Sequence, residues 1–589
     1  MPQIDLATGL SIEPARDDLL TPFAKKLLAE HYLRSNETPQ QGFARASLAW
    51  CGGDLALAQR LYEGASRGWF MFASPVLSNA PLPGEHVKGM PISCFLTYVG
   101  DSLEELMSHT TELRWLSVLG GGVGGHWGDV RSVSKKAPGP IPFWHTVNAD
   151  MEAYSQGTTR RGSYAAYLSV SHPDIIEALA VRKAGGDEHR KCFSKGFHHG
   201  FNITDDFMEA VVEDKEWKLI DPHDNTVRDT LRARELWQEI LETRYRTGEP
   251  YLYFIDTARR YLPEAQRRLG LDTHGSNLCS EITLATGPGR TAVCCLSSLN
   301  AETYDEWHDT SIVQDVIEML DNVLTYFINH APEPLARAKF SAMRERSLGL
   351  GLMGFHSYLQ RHMIAFESQE ARRINEEIFH NIKWEADLKT RLLAKERGEA
   401  PDLKGTGRRN SHLLAIAPNA NSAILLDTSP SIEPSAANAY VHEARVGTWQ
   451  VKNRHLERLL AERGKNTPEV WQDIVVNKGS VQHLGFLTDH EKAVFKTAIE
   501  LDQMWIIRHA ADRQPFICQL QSVNLFFPPR ADKAYVNKVH LAAWELGLKS
   551  LYYCRSMASN RAENVSQKVE RQALTDAAPE DASCKACEG

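Results

Sequence analysis

Little in this sequence suits a disulfide-stapled, exported or membrane-spanning protein. Ten cysteines among 589 residues are too few for a disulfide scaffold, and a reducing compartment keeps most such thiols reduced. No run approaches the roughly 18 consecutive apolar residues of a membrane span. The opening MPQIDLATGLSIEPARDD has no basic start followed by an apolar core, so no export signal is expected. A basic surplus is also missing. The 66 Lys and Arg against 75 Asp and Glu leave a formal charge of −9, which offers no field for a nucleic-acid polymer or an anionic membrane. A cytoplasmic protein is the expectation.

What is present is an ordinary globular balance, 42% hydrophobic and 24% charged residues, on a chain long enough for several domains or one elaborated domain. Thr21-Pro22 reads as an N-cap and first-turn proline ahead of Phe23, Leu27 and Leu28 at helical spacing. The first seventy or so residues are therefore expected to be helical. Helical periodicity returns around Leu236, Trp237, Ile240 and Leu241, and from Ile312 to Leu324. Short strand-like runs, among them Ser169-Val170, Tyr251 to Phe254 and Val523 to Phe527, alternate with these helices. That alternation favours an α/β architecture. From about Ser556 few large apolar residues remain to offset chain entropy, so a mobile tail is predicted.

That tail ends in Cys584-Lys585-Ala586-Cys587. A CxxC on a polar tether buries nothing, so thiol–disulfide exchange or metal binding explains it better than packing. Zinc needs about four ligands and the tail has no histidine and no second pair; redox exchange is preferred and no metal site is expected. Upstream, Asn277-Leu278-Cys279-Ser280-Glu281 alternates an amide, a thiol and a carboxylate. If extended, it points the three to one side. Such a carboxylate can take a proton, the amide can orient hydroxyls, and the thiol can do nucleophilic or radical work. Cys294 and Cys295 follow after Gly287-Pro288-Gly289, a reversal signal that makes the two cysteine segments candidate neighbours. Cys51, Cys192, Cys518 and Cys554 have no comparable context.

From Phe72 to Tyr553, and again in the tail, these motifs and their order resemble the large, catalytic subunit of class I ribonucleotide reductase. The resemblance implies a ten-stranded α/β barrel over residues 71–555, preceded by a helical region (1–70) and followed by a flexible redox tail (556–589). It implies reduction of ribonucleoside diphosphates to 2′-deoxyribonucleotides. Cys279 would be the transient thiyl radical, Glu281 would take the 3′-hydroxyl proton and Asn277 would hold the ribose hydroxyls. Cys94 in Pro91-Ile92-Ser93-Cys94 and Cys294 would supply two reducing equivalents by closing to a disulfide. Cys295 is a departure from the family's pattern; the match of the segment from Cys294 to Asn300 with the family's motif puts Cys294 in the reductant place, and as adjacent strand residues face opposite ways the two thiols would not share it. Cys584 and Cys587 would carry electrons inward from a thioredoxin or glutaredoxin. Tyr552 and Tyr553 would relay the radical from a small, metal-containing beta subunit. A cobalamin-dependent reductase, which makes its radical locally, is the enzymatic alternative; a non-catalytic thiol or zinc-binding interaction protein is the other.

The resemblance extends to binding. Asn419, Ala420, Asn421, Ser422 and Ala423 match a phosphate loop, where amides at a helix start receive the anion. Ser74 and Ser93 match substrate contacts, and Gly122 a close backbone approach. Gly120–Gly125 and Gly349–Gly354 each fit GxGxxG, but the strand–turn–helix context of a dinucleotide fold is not expected. Asp101, Gln156 and Arg160 match a site where a deoxynucleotide or ATP effector, bound between two copies of the chain, selects the base reduced. The barrel begins early enough that no N-terminal ATP-cone, and no cone-mediated inhibition by dATP, is expected. No cofactor held by the chain itself is implied.

Overall fold

The computed structural model describes residues 2–85, 89–154, 162–182, 193, 196–444 and 447–556. Helix Pro22–His31 begins where Thr21 accepts a hydrogen bond from the Ala24 amide at 3.1 Å. Helices Pro39–Ala49 and Leu55–Ser66 follow, capped by Thr38 and Asp54. Each cap satisfies a donor that the first helical turn cannot satisfy internally.

The principal sheet has nine strands: β1 (Phe70–Phe72), β2 (Cys94–Tyr98), β3 (Gly122–His126), β4 (Ser163–Ser169), β5 (Phe197–Ile203), β6 (Tyr251–Phe254), β7 (Ala292–Asn300), β8 (Leu348–Met353) and β9 (Ser550–Leu551). Their order is β8-β7-β2-β3-β4-β5-β6-β9, with β1 paired to β7. Strands β2 to β6 run parallel, as do β7 and β8, and the two sets meet antiparallel at β7 and β2. Parallel neighbours need crossovers. Helices Leu103–Val118, Ile141–Ala153, Ile175–Ala180 and Ala233–Thr247 lie in the four crossovers of the first set, and Ile312–His330 in that of the second.

Period-2 alternation divides each strand between two cores. On β6, Leu252 and Phe254 join the large core shared with the helices, while Tyr251 and Tyr253 face inward. On β2 and β7, Phe95, Val293 and Cys295 point outward, and Cys94, Leu96, Ala292 and Cys294 inward. The glycine run Gly349–Gly354 lies largely within strand β8 and turns only at Gly354, with φ 79°.

The count of ten regular strands is not what is seen among the described residues. Two irregular extended segments carry the hydrogen bonding from β8 round to the Tyr552 segment, through Leu350 N to Leu413 O (2.8 Å), Ile416 N to Leu520 O (3.0 Å) and Tyr552 N to Val523 O (2.8 Å). Their ladder is interrupted because the amides of Leu413 and Leu414 donate to Cys518 Sγ, at 3.1 and 3.2 Å. No described helix is long and apolar enough to cross a membrane.

Candidate active site

Strand register brings the first two sulfurs together. Cys94 and Cys294 are directly opposed in the antiparallel β2–β7 pairing, where side chains on one face stand about 4.5–5.5 Å apart at Cβ. That is close to the separation a disulfide spans.

The third sulfur arrives on a loop. Between the paired segments Asp272–Thr273 and Ala285–Thr286 the chain turns inside the sheet, burying Leu278, Cys279 and Glu281. The extended form considered for Asn277 to Glu281 is replaced by a turn with Ser280 at φ 58°. Asparagine is the cause. Asn277 Oδ1 accepts from the backbone amides of both Glu281 and Ile282 at 3.2 Å, the local competition with the backbone for which this side chain is suited. Asn277 Nδ2 is buried with no partner among the described residues.

The surrounding wall fixes the loop. The Tyr167 hydroxyl donates to Asn277 O at 2.9 Å, Ser522 Oγ donates to Cys279 O at 2.6 Å and Leu520 N donates to Glu281 O at 2.9 Å. Below it, β3 must be bare: a Cβ on Gly124 would collide with Ser276 O.

One pocket collects the chemistry. Ser93, Cys94, Cys279 and Glu281 line it together with Ser297, Ser298, Asn419 and Ser422. Cys94 Sγ donates to Glu281 Oε1 across 3.6 Å. Asn419, at φ 53°, opens the short helix Ala420–Leu426, whose first amides have no intrahelical acceptor. Other expected contacts stand back. Ala73 lines the pocket, and the Ser74 hydroxyl instead lies 2.9 Å from Tyr32 OH. Gly122 donates its amide to Ser93 O at 2.6 Å, just beneath the pocket.

Behind Cys279 lies an aromatic column. Cys279, Tyr167, Tyr251, Tyr253, Tyr552 and Tyr553 share one buried cluster. Tyr552 and Tyr553 have ring centroids 4.3 Å apart, and Tyr251 lies 4.7 and 5.1 Å from them. His198 stacks on Tyr251 and sets Nδ1 2.5 Å from Glu249 Oε1. Burial works to raise the Glu249 carboxyl, but Arg182 and His198 overcome it and hold the group well below the usual carboxylate range. Tyr251, His198 and Glu249 escaped the sequence reading because each looks like an ordinary strand or strand-edge residue. The available signal was the inward parity of Tyr251 with Tyr253.

Asp101 lies elsewhere. Its carboxylate accepts from Arg131 Nε at 2.9 Å and sits 2.9 Å from His223 Nδ1. Gln156, Arg160, Cys584 and Cys587 lie outside the described residues.

This arrangement coincides with similarity along nearly the whole chain. Residues 92–406 and 401–554 match the family model described as ribonucleotide reductase, barrel domain, and residues 18–85 match ribonucleotide reductase, all-alpha domain. The chain belongs to the ribonucleotide reductase large-subunit family. It is 54% identical over 92% of its length to the putative ribonucleoside-diphosphate reductase large subunit of Frog virus 3 (isolate Goorha), covering 94% of that protein. It is 41% identical to the large subunit of Invertebrate iridescent virus 3, over 98% of this chain and 100% of that one. Among solved structures, the class Id ribonucleotide reductase alpha subunit of Actinobacillus ureae superposes with a TM-score of 0.82 at 35% identity, covering 92% of this chain and 98% of that one. Within this family frame, the nine-stranded sheet encloses the loop that carries Cys279.

Proposed function

We propose that this chain is the catalytic subunit of a ribonucleoside-diphosphate reductase. The observation carrying the reading is the convergence of Cys279, Cys94 and Glu281 on one buried pocket, with Cys294 opposed to Cys94. In this reading a Cys279 thiyl radical takes the hydrogen atom from the ribose 3′ carbon and becomes a thiol. Glu281 accepts the 3′-hydroxyl proton, and the unpartnered N–H groups of Asn277 orient the ribose hydroxyls. The 2′-hydroxyl leaves as water. Cys94 and Cys294 give up two electrons and two protons and close to a disulfide, after which Cys279 returns a hydrogen atom to the 3′ carbon. Burial serves this chemistry because a thiyl radical survives only away from water and stray hydrogen donors.

Asn419, Ala420, Asn421, Ser422 and Ala423 are assigned to the diphosphate, supported by the unsatisfied first-turn amides beside the pocket. Ser74, Ser93 and Gly122 complete the substrate surround. Tyr552 and Tyr553 receive the radical from a metal-containing small subunit, a role supported by their shared cluster with Cys279. Cys584 and Cys587, on the redox tail that follows the barrel of 71–555, exchange with the internal disulfide and then with a thioredoxin or glutaredoxin. Asp101, Gln156 and Arg160 take a nucleotide effector between two copies of the chain. An exposed apolar stripe on helix Leu103–Val118, Leu103, Met107 and Trp115, supports that homodimer.

The test is deoxynucleotide formation from each ribonucleoside diphosphate, with and without a candidate radical-supplying subunit. Turnover should need both proteins. Cys279→Ser should abolish it while leaving nucleotide affinity nearly unchanged, since the thiol acts in the chemical step. Turnover with adenosylcobalamin and no second protein would overturn the class I assignment.

A further inference from the structure

Cys94 and Cys294 are opposed but unequally placed. Cys94 lines the pocket, whereas Cys294 is packed behind it among Leu96, Ile282, Leu284 and Ala415. On β8, Gly349 leaves room for the Cys294 sulfur, since a Cβ there would stand 2.9 Å from it. Against the same sulfur lies Gln519, a fully buried side chain outside the motifs described above.

Gln519 Nε2 donates to Cys294 Sγ at 3.3 Å and to Leu348 O at 2.8 Å. The Leu348 carbonyl decides the orientation of the amide, because only its NH2 end can face an acceptor. The consequence is that Gln519 Oε1 is buried with no partner among the described residues, an arrangement that packing alone would not select. The residue is also anchored through its backbone. Its amide donates to Leu414 O at 3.1 Å, and its carbonyl accepts from the buried Lys549 Nζ at 2.7 Å, which also donates to Ile517 O and Cys518 O.

We propose that Gln519 sets the direction in which the Cys94–Cys294 disulfide is re-reduced: an incoming thiolate attacks Cys94, and Cys294 departs as a thiolate held by the Gln519 amide. The inference rests on the reading of Cys94 and Cys294 as the reductant pair. In the first step the new S–S bond joins the incoming sulfur to Cys94, the internal S–S bond breaks, and its electron pair goes to Cys294 Sγ. In the second, the other thiolate of the incoming dithiol attacks its own partner sulfur and releases Cys94. The dithiol is oxidised to a disulfide, and both cysteines, after taking protons, are restored as thiols. Access sets the direction, since the pocket exposes Cys94, and the Gln519 amide gives the Cys294 sulfur a hydrogen-bond donor for the charge it takes up on leaving. Burial pushes the Cys294 thiol well above its ordinary range, and the Gln519 hydrogen bond is the leading influence against it.

The test takes the holoenzyme through turnover without added reductant until product formation stops, adds 2-mercaptoethanol, quenches in acid and maps the adduct by mass spectrometry. The adduct should sit on Cys94, with Cys294 as a thiol. In Gln519→Met, which keeps length and loses the donor, adduct formation should slow about tenfold or more, as expected for a lost hydrogen bond to a charged group. Product formed before reductant is added should persist, because it needs no re-reduction. Gln519→Glu, which places a carboxylate against the sulfur, should be slower still and serves as a second variant if the first folds poorly. An adduct on Cys294 in the unmodified enzyme, or an unchanged rate in both variants, overturns the inference while leaving the pair intact. Absence of any Cys94–Cys294 disulfide after turnover overturns the pair, and the inference with it.

Discussion

Gly124 and Gly122 stand two residues apart on β3, and both face the loop that carries Cys279. They differ in clearance. A Cβ on Gly122 would lie 3.2 Å from Leu278 Cδ2, the tip of a side chain that can yield, whereas one on Gly124 would strike backbone at Ser276. Gly124→Ala should therefore displace the loop and cost about a hundredfold or more in turnover, the penalty expected when reacting groups move by about 1 Å. Gly122→Ala should be milder. Steady-state deoxynucleotide formation, with circular dichroism to confirm folding, checks the order, and the reverse order would contradict it. The sequence reading selected Gly122 because resemblance supplied it. The stricter demand at Gly124 was hidden, since nothing in a glycine run says which member meets backbone. Cys294 and Cys295 show what parity alone can reveal: the strand places one inside and the other in the helical core.

At the scale of elements, the loop and the column of rings are built by different rules, and only one was legible. Helices were readable where capping and periodicity agreed, as at Thr21 and along Ile312–His330. The Asn277 to Glu281 segment was not, because alternation of polar types suggests a strand while the asparagine folds back on its own amides. The tyrosine pair was recognisable as a pair, but its third ring, Tyr251, comes from a strand about three hundred residues earlier and could be found only in three dimensions. Tyr552 packs against both Tyr251 and Tyr553 through its ring. Tyr552→Phe keeps that packing and loses the hydroxyl, so turnover should vanish while the thermal midpoint stays nearly unchanged. Loss of both would make Tyr552 a packing residue and nothing more.

At the scale of the whole molecule, the irregular segments 413–416 and 519–523 carry no clean period, so their place in the closed sheet was not legible; the large core they complete has a cost that pH exposes. Burial pushes His109, His356, His412 and His540 down to about 3, and His509 to about 4. These five are neutral in the folded chain, and each takes up a proton on unfolding below about pH 6.5. Their contribution to stability is present above that pH and is lost as pH falls toward the folded values. Three buried acids act in the opposite sense. Burial lifts Glu112 and Glu433 to about 7 and Asp174 to about 6, so the folded chain keeps protons that the unfolded chain has released above about pH 4.5. Burial also holds His172, His199 and His274 down, so the histidines outnumber the acids, unfolding near pH 5 takes up protons on balance, and stability falls as pH falls. Calorimetric unfolding at pH 5 in buffers of different ionisation enthalpy should record that uptake, with a midpoint below the one at pH 6.5. Net proton release at pH 5 would mean that the acids, and not the histidines, govern how this core responds to acid.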